Sequence, residues 1–406
     1  MPPVTAAEYI SGAQNTGLML QAERVIDIPR RIYWQNKDIT PLLHITGGKS
    51  KKGLPVKKKV AINPEFKVLE KKPHAEFTAI NGAGHLAAST NLTVDSTAHI
   101  KPHDVLKAVG LDEEVIVLSV TSATVINVKR AAGATAAVDL PDNTPLMTVQ
   151  SAREEFSPRG SIVMAKNVIR TNYTQIMDFW NGLSRTADKS EYYGGSKGAE
   201  MREETWLEWK KRTEKAFLFG EPFEDLDGGP NGNPIRKTGG VIYWIKSGGG
   251  YVEQATTTYT RTMWAAWCRN LFENGRQDYK LVLSAPKIID MLSFWKDEKL
   301  QMSPNNYVYD LRVHEWESGH GTLFILRDPM LKDSPAGNGA GYGGCAVAVE
   351  PEKLNYRYLT DSDVKYYHNV VKDGSDGKYD VCMGEVGLGI NNPEGFGILE
   401  EVSTWA

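Results

Sequence analysis

The chain has 406 residues, a formal net charge of −3, 41% hydrophobic and 24% charged residues. Those values describe an ordinary globular protein of two or three domains, or one elaborated fold, and exclude a strongly basic nucleic-acid binder. Three distant cysteines (Cys268, Cys345, Cys382) without a CxxC pair argue against a disulfide framework or a zinc site and fit a reducing compartment.

The opening MPPVTAAEYISGAQNTG has no apolar core behind basic residues, so no signal peptide is expected. No apolar run approaches the roughly 18 residues of a membrane span, and no membrane partner is expected. Residues 1 to about 47 read as an arm: Leu18, Leu20, Val25, Ile26 and Ile28 follow no period, and Pro41 and Gly47-Gly48 punctuate the stretch. Such a segment is either disordered or packed on another subunit. A dense basic cluster follows, Lys49, Lys51, Lys52, Lys57, Lys58 and Lys59. It reads as a solvated loop, or as a contact with phosphate or with an acidic neighbouring subunit.

Residues 61–152 repeat one grammar, short β-branched runs cut by Gly, Pro, Asp or Asn. In Glu114–Thr121 the alternating residues make one face less uniformly apolar than the other. The stretch is large enough for a small barrel or an extended, twisted hairpin. Residues 153–195 read as a connector with an apolar, aromatic middle.

From Ser196 to Phe219 the chain has good helix formers, no Pro, and no Gly beyond Gly198. Trp206, Trp209, Ala216 and Phe217 share one side at helical spacing, and Trp206, Trp209 and Phe217 are the expected core contacts. Glu208 and Arg212 stand i,i+4 in the favourable order. Acidic residues fill the first half and basic ones the second, which suits the helix dipole. A helix this long spans about 35 Å. Its expected partners are a strand at Val241–Ile245, within VIYWIKSGGG, and the segment Gly384–Val402.

Residues 256–380 alternate helix and strand. A helix ends at Asn274-Gly275, a buried strand YKLVLS precedes a helix started by Pro286, and a hairpin has Ser318-Gly319 near its tip. GCAVAVEPEKLNYRYL reads as one further strand, and the C-terminus as two short strands around Asn391-Asn392-Pro393.

Catalytic patterns are missing. Gly339, Gly341 and Gly344 match GxGxxG, but a strand follows where a dinucleotide site needs a helix. There is no GxxxxGK[ST] and no GxSxG, and His314-Glu315 does not extend to HExxH. Asp225, Asp227, Asn231 and Asn233 lack EF-hand spacing. Asp361, Asp363, Asp373 and Asp376, with Lys365, Lys372 and Lys378, read as a solvated surface loop. No cofactor is expected. A chain with an unpacked arm, a long β insertion and no catalytic constellation looks like a building block whose loose segments are buried between subunits.

Several blocks occur in one order: ITPLLHITGG, HDVLKAVG, VTSATVINVKRAAG, TNYTQI, EKAFLFGEP, GGVIYW, DYKLVLSAPKIIDML, GTLFILRDPMLK and GEVGLGINNPEGFGIL. From about Ile39 onward the series resembles the major capsid proteins of tailed double-stranded-DNA bacteriophages with the Hong Kong 97-type fold. The resemblance implies an α+β subunit that is not an enzyme. It would have an N-terminal arm (1–60), a β-rich insertion including the E-loop (61–165), a peripheral domain with a spine helix at 196–219 (166–255 and 381–406), and an axial domain (256–380). It implies hexamers and pentamers of an icosahedral virion head, assembled in the host bacterial cytoplasm around weakly contacted DNA. Further implied partners are a portal at one vertex, a separate scaffolding protein and a decoration protein. Some relatives cross-link a Lys of the E-loop to an Asn with the help of a Glu; nothing here marks such a trio. An encapsulin-like compartment and, further off, a soluble carbohydrate-active enzyme are the alternatives.

Overall fold

The computed structural model describes residues 40–47, 58–156, 162–191, 196–255, 258–295, 307–308, 311–333, 341–371 and 376–406. Most of the expected arm, with Lys49, Lys51, Lys52 and Lys57, lies outside them. The chain divides into two compact units, Lys67–Arg170 and the remainder. It opens with helix α1 (Pro41–Gly47) and strand β1 (Lys58–Ala61). The unit boundaries fall within β2 (Glu65–Lys71) and β9 (Asn167–Tyr173), which pair as a two-stranded ribbon.

Between them run β3 (Phe77–Ala79), β4 (Asn91–Thr93), β5 (Asp104–Ala108), β6 (Glu114–Val120), β7 (Val125–Lys129) and β8 (Pro145–Ser151). They form one antiparallel sheet in the order β3-β8-β5-β6-β7-β4. An antiparallel bridge between Ile80 and Val94 then joins the two edges. Asn81 N–H donates to the Thr93 carbonyl and Asp95 N–H to the Ala79 carbonyl, both at 3.0 Å. The sheet is therefore a closed six-stranded barrel, and closure removes the unpaired edges that an extended hairpin would expose. Its interior is built by alternation: Leu106 and Ala108, Val115 and Val117, and Ile126 and Val128 point inward. In β6 the register shifts between Val117 and Ser119, and beyond that point Leu118, Ser119 and Val120 are exposed.

A buried ion pair closes the barrel loops. Arg130 donates to Glu113 at 2.8 and 2.7 Å and to the carbonyls of Leu86, Ser89 and Val138. Burial pushes the Glu113 carboxyl up, but Arg130 and the N–H groups of Val138 and Ala131 outweigh it and hold the carboxyl below its ordinary value.

The second unit continues with β10 (Gln175–Ser184), α2 (Arg185–Lys189), α3 (Lys197–Phe219), the small hairpin β11 (Phe223–Asp225) and β12 (Ile235–Lys237), and α4 (Val241–Gly248). Next come β13 (Tyr251–Gln254), α5 (Arg261–Glu273), β14 (Tyr279–Ser284) and α6 (Pro286–Phe294). A short pair, β15 (Tyr307–Val308) and β16 (Leu311–Arg312), precedes the hairpin β17 (His314–Ser318) and β18 (Gly321–Arg327). The chain ends with β19 (Ala346–Val349), β20 (Leu354–Leu359), β21 (Lys365–Val370), β22 (Gly377–Ile390) and β23 (Gly397–Glu400).

Two sheets result. The first runs β1-β20-β22-β10, with β21 also on β22. The second runs β13-β23-β19-β14-β18-β17. In the second sheet Leu281, Leu283, Val347, Val349 and Ile398 join the core that contains α3 and α4. Val282, Ala346, Ala348, Ile325 and Leu399 join the core of α5 and α6. Covered on both faces, these strands carry near-continuous apolar runs.

Several expectations change. VIYWIK is a helix, not a strand: Val241, Ile242, Trp244 and Ile245 are buried at helical spacing, and Gly249 at φ +85° ends it. A short apolar run does not reveal its period. The connector holds two strands and the short helix α2, and β10 pairs with β22 over its ten residues. GCAVAVEPEKLNYRYL is two strands in different sheets, split by the 3-10 turn Pro351–Lys353. The first of the two C-terminal strands is long, 14 residues.

Candidate functional site

Helix α3 lies on β10 and β22 of the first sheet. Its buried residues are Met201, Thr205, Trp209, Thr213, Glu214, Phe217 and Leu218. Trp209 donates from Nε1 to the Met177 carbonyl at 3.1 Å, so the helix is bonded to β10 as well as packed on it. The strand partners are β10 and β22; Val241–Ile245 packs against α3 as a helix. Trp206 is half-buried, stacked on Trp209 at 5.7 Å, with the Lys210 ammonium 5.1 Å from its ring centre. It packs against the core as a shoulder, while Trp209 and Phe217 lie within it. Glu208 pairs with Lys211 at 2.6 Å, while Arg212 covers the Phe179 ring at 4.6 Å; the expected Glu208–Arg212 pair does not form.

Helix α1 docks on α3 beside β20. Leu42 and Ile45 enter the core, and the N–H groups of Leu42 and Leu43 donate to the two oxygens of Glu214 at 2.7 and 2.6 Å. Burial raises the Glu214 carboxyl well above its ordinary range, and Asp328 adds to the rise. A groove of about 250 Å³ opens here, lined by Thr40, Leu43, His44, Lys58, Trp206, Trp209, Lys210, Tyr356 and Val364.

Two members of the lysine cluster are described. Lys59 is exposed on β1. Lys58 pairs with Asp363 at 2.7 Å and sits 5.0 Å from the centre of the Tyr356 ring. Burial pushes Asp363 up, but Lys58, the Val364 N–H and the Tyr356 hydroxyl hold it below its ordinary value. Lys58 is thus engaged within its own subunit, and Asp363 is structural, not part of a solvated loop. Lys378 likewise pairs with Asp188 at 3.0 Å.

Lys280, which no local pattern singles out, is fully buried on β14. It donates to the carbonyls of Leu271, Asn274 and Gly395 and faces Glu350 at 3.4 Å. It thereby satisfies carbonyls at the end of α5. Burial lowers its ammonium from the ordinary value, and Glu350 opposes that.

No cluster of three metal-ligating side chains occurs among the described residues, including the Asp225–Asn233 hairpin. Gly341–Gly344 leads directly into β19. Cys268, Cys345 and Cys382 are free and buried.

This arrangement is a scaffold: a long helix stiffening a sheet, and a barrel on a ribbon. The model of the SU10 major capsid protein family matches residues 12–403. The chain belongs to that family. A major capsid protein of Pseudomonas phage PaMx41 is 24% identical over 298 residues, 68% of this chain and 69% of that protein. The capsid of a native GTA particle superposes with a TM-score of 0.50 at 8% identity, covering 97% of this chain and all of that one. A Gordonia phage Cozz structure gives 0.49 at 10% identity, with 100% and 97% covered. This phage major capsid protein has the α+β Hong Kong 97-type fold, it is a component of the virion, and the encapsulin reading is the weaker one. Capsid proteins assemble into multimeric shells.

Proposed function

We propose that copies of this capsid protein form hexameric and pentameric capsomers of an icosahedral head that encloses double-stranded DNA. The observation that carries this reading is the apolar surface of the ribbon and the residues leading into it. Leu69 on β2 and Ile169 on β9 are 68% and 59% exposed, and Ile162 and Met164 are 85% and 71% exposed. A two-stranded ribbon has no core in which to bury them, so a second copy supplies the cover.

In the domain reading, residues 1–60 are the arm and 61–165 the insertion with the E-loop. The peripheral domain takes 166–255 and 381–406, and the axial domain 256–380. The net charge of −3 suits a wall that touches DNA weakly. Portal, scaffolding and decoration proteins and host cytoplasmic assembly complete the proposal.

The test is Leu69→Asp with Ile169→Asp. Circular dichroism of the variant subunit should match the parent, while negative-stain images should show shells for the parent and none for the variant. Normal shells from the variant would overturn the reading. Glutamine at Lys49, Lys51, Lys52, Lys57 and Lys59, leaving Lys58 in place, tests the basic cluster. Reduced assembly or genome retention supports a contact with an acidic neighbour or with phosphate, and unchanged heads leave a solvated loop.

A further inference from the structure

Glu214 is a carboxyl group in the core with both oxygens accepting hydrogen bonds from α1. The donors are first-turn N–H groups, which the helix cannot satisfy internally. Asp328, at the end of β18, is also fully buried. Its Oδ1 accepts from the Met330 N–H at 2.8 Å, and its Oδ2 is buried without a hydrogen-bond partner. Asp328 is the charge that acts on Glu214, and neither carboxyl has a cationic partner among the described residues.

The charged groups on the surrounding elements do not change this. From α1 comes His44, and from α3 come Lys210 over Trp206, Lys211 on Glu208, and Lys215. From α4 comes Lys246, tied to Glu400. β10 brings Asp178, bonded to Trp180, and β22 brings Glu385, bonded to Thr174. Around the turn after β18 stand Arg327, Lys332 and Asp333, the last held by Lys287. None of them acts on Glu214 or Asp328.

Two neighbouring carboxylates in an apolar core without a counter-ion cannot both stay ionised at small cost. The open Oδ2 of Asp328 has a place for a hydrogen, whereas Glu214 needs both oxygens free to accept. We propose that Glu214 and Asp328 hold one proton between them and that this proton latches α1 onto α3. Loss of the proton puts a second negative charge in the core. Helix α1, seven residues long, supplies the N–H groups on both Glu214 oxygens, so its departure leaves them to water.

The sign follows from both carboxyls being raised, Asp328 to about 6 and Glu214 well above its ordinary value. Their contribution is fully present below the ordinary carboxyl values of 3.8 and 4.5 and is lost as pH rises through the raised ones, about 6 for Asp328. Amide hydrogen exchange by mass spectrometry on the full chain, corrected for intrinsic rates, reads the latch directly. Protection of residues 40–47 relative to α3 should fall by up to about tenfold per pH unit while the closed pair keeps its proton and the opened pair has released it, from about pH 4.5 upward, and should level off once the closed pair also ionises. Asp328→Asn, which removes the second carboxyl, should keep the protection and weaken the pH dependence; Asp328→Ala serves if the first variant does not fold. His44→Gln should keep the slope. A flat wild-type profile, an unchanged slope without Asp328, or loss of the slope in His44→Gln would each overturn the proposal.

Discussion

Trp209→Ala and Trp206→Ala separate the core of α3 from its shoulder. Trp209 is 2% exposed and bonded through Nε1 to the Met177 carbonyl. Truncation removes a fully buried indole and leaves a cavity between α3 and β10, at a cost of about 3–5 kcal/mol. Trp206 is half-buried. Its truncation loses the stack on Trp209, about 0.5–1.5 kcal/mol, and part of its apolar burial, so about 1–2 kcal/mol in all. Trp209→Phe keeps most of the packing but leaves the indole's bond unmade, about 1–2 kcal/mol. Since domains are stable by about 5–15 kcal/mol, Trp209→Ala should sharply reduce soluble subunit while Trp206→Ala accumulates normally. Urea unfolding of unassembled subunits, followed by far-ultraviolet circular dichroism, measures the three differences. Equal costs at the two tryptophans, or a larger one at Trp206, would refute this assignment of the buried face.

Lys280→Met should destabilise the subunit by about 3–5 kcal/mol, because the carbonyls of Leu271, Asn274 and Gly395 lose their buried donor and Glu350 keeps only the longer pair with Lys353, 3.7 Å; adding Glu350→Gln should restore part of the loss in thermal unfolding. Glu113 is held below its ordinary value by Arg130, so its contribution is fully present above about pH 4.5. That contribution disappears on acidification, and Glu113→Gln should flatten the acid limb of barrel unfolding seen by hydrogen exchange of residues 77–151. The three cysteines should resist alkylation in the native subunit, since burial raises all three thiols, Cys345 to about 11 and Cys382 to about 12. Mass spectrometry of unfolded, unreduced protein should then show three adducts.

Helix α3, the strand β14 with Pro286 behind it, and the β17–β18 hairpin were legible because each signal is local and long enough to show its period. The β character of residues 61–152 was legible from β-branched runs between turn residues. Barrel or hairpin stayed open, since the choice rests on one contact between Ile80 and Val94 that no turn sequence encodes. VIYWIK was misread because its apolar residues satisfy a buried strand and a buried helix alike.

By itself, then, the sequence determined where the long helix runs, which stretches are β, and, through the order of its blocks, the capsid family. The tertiary structure alone decided which charges are inside. Glu214 belongs to a charge-rich helix, yet its partners Leu42 and Leu43 lie 172 and 171 positions away. Lys280 sits in an apolar strand and answers to carbonyls on two other elements. Local pattern reports which face of an element is apolar, but a buried charge is permitted only by the donors and acceptors that distant segments bring to it.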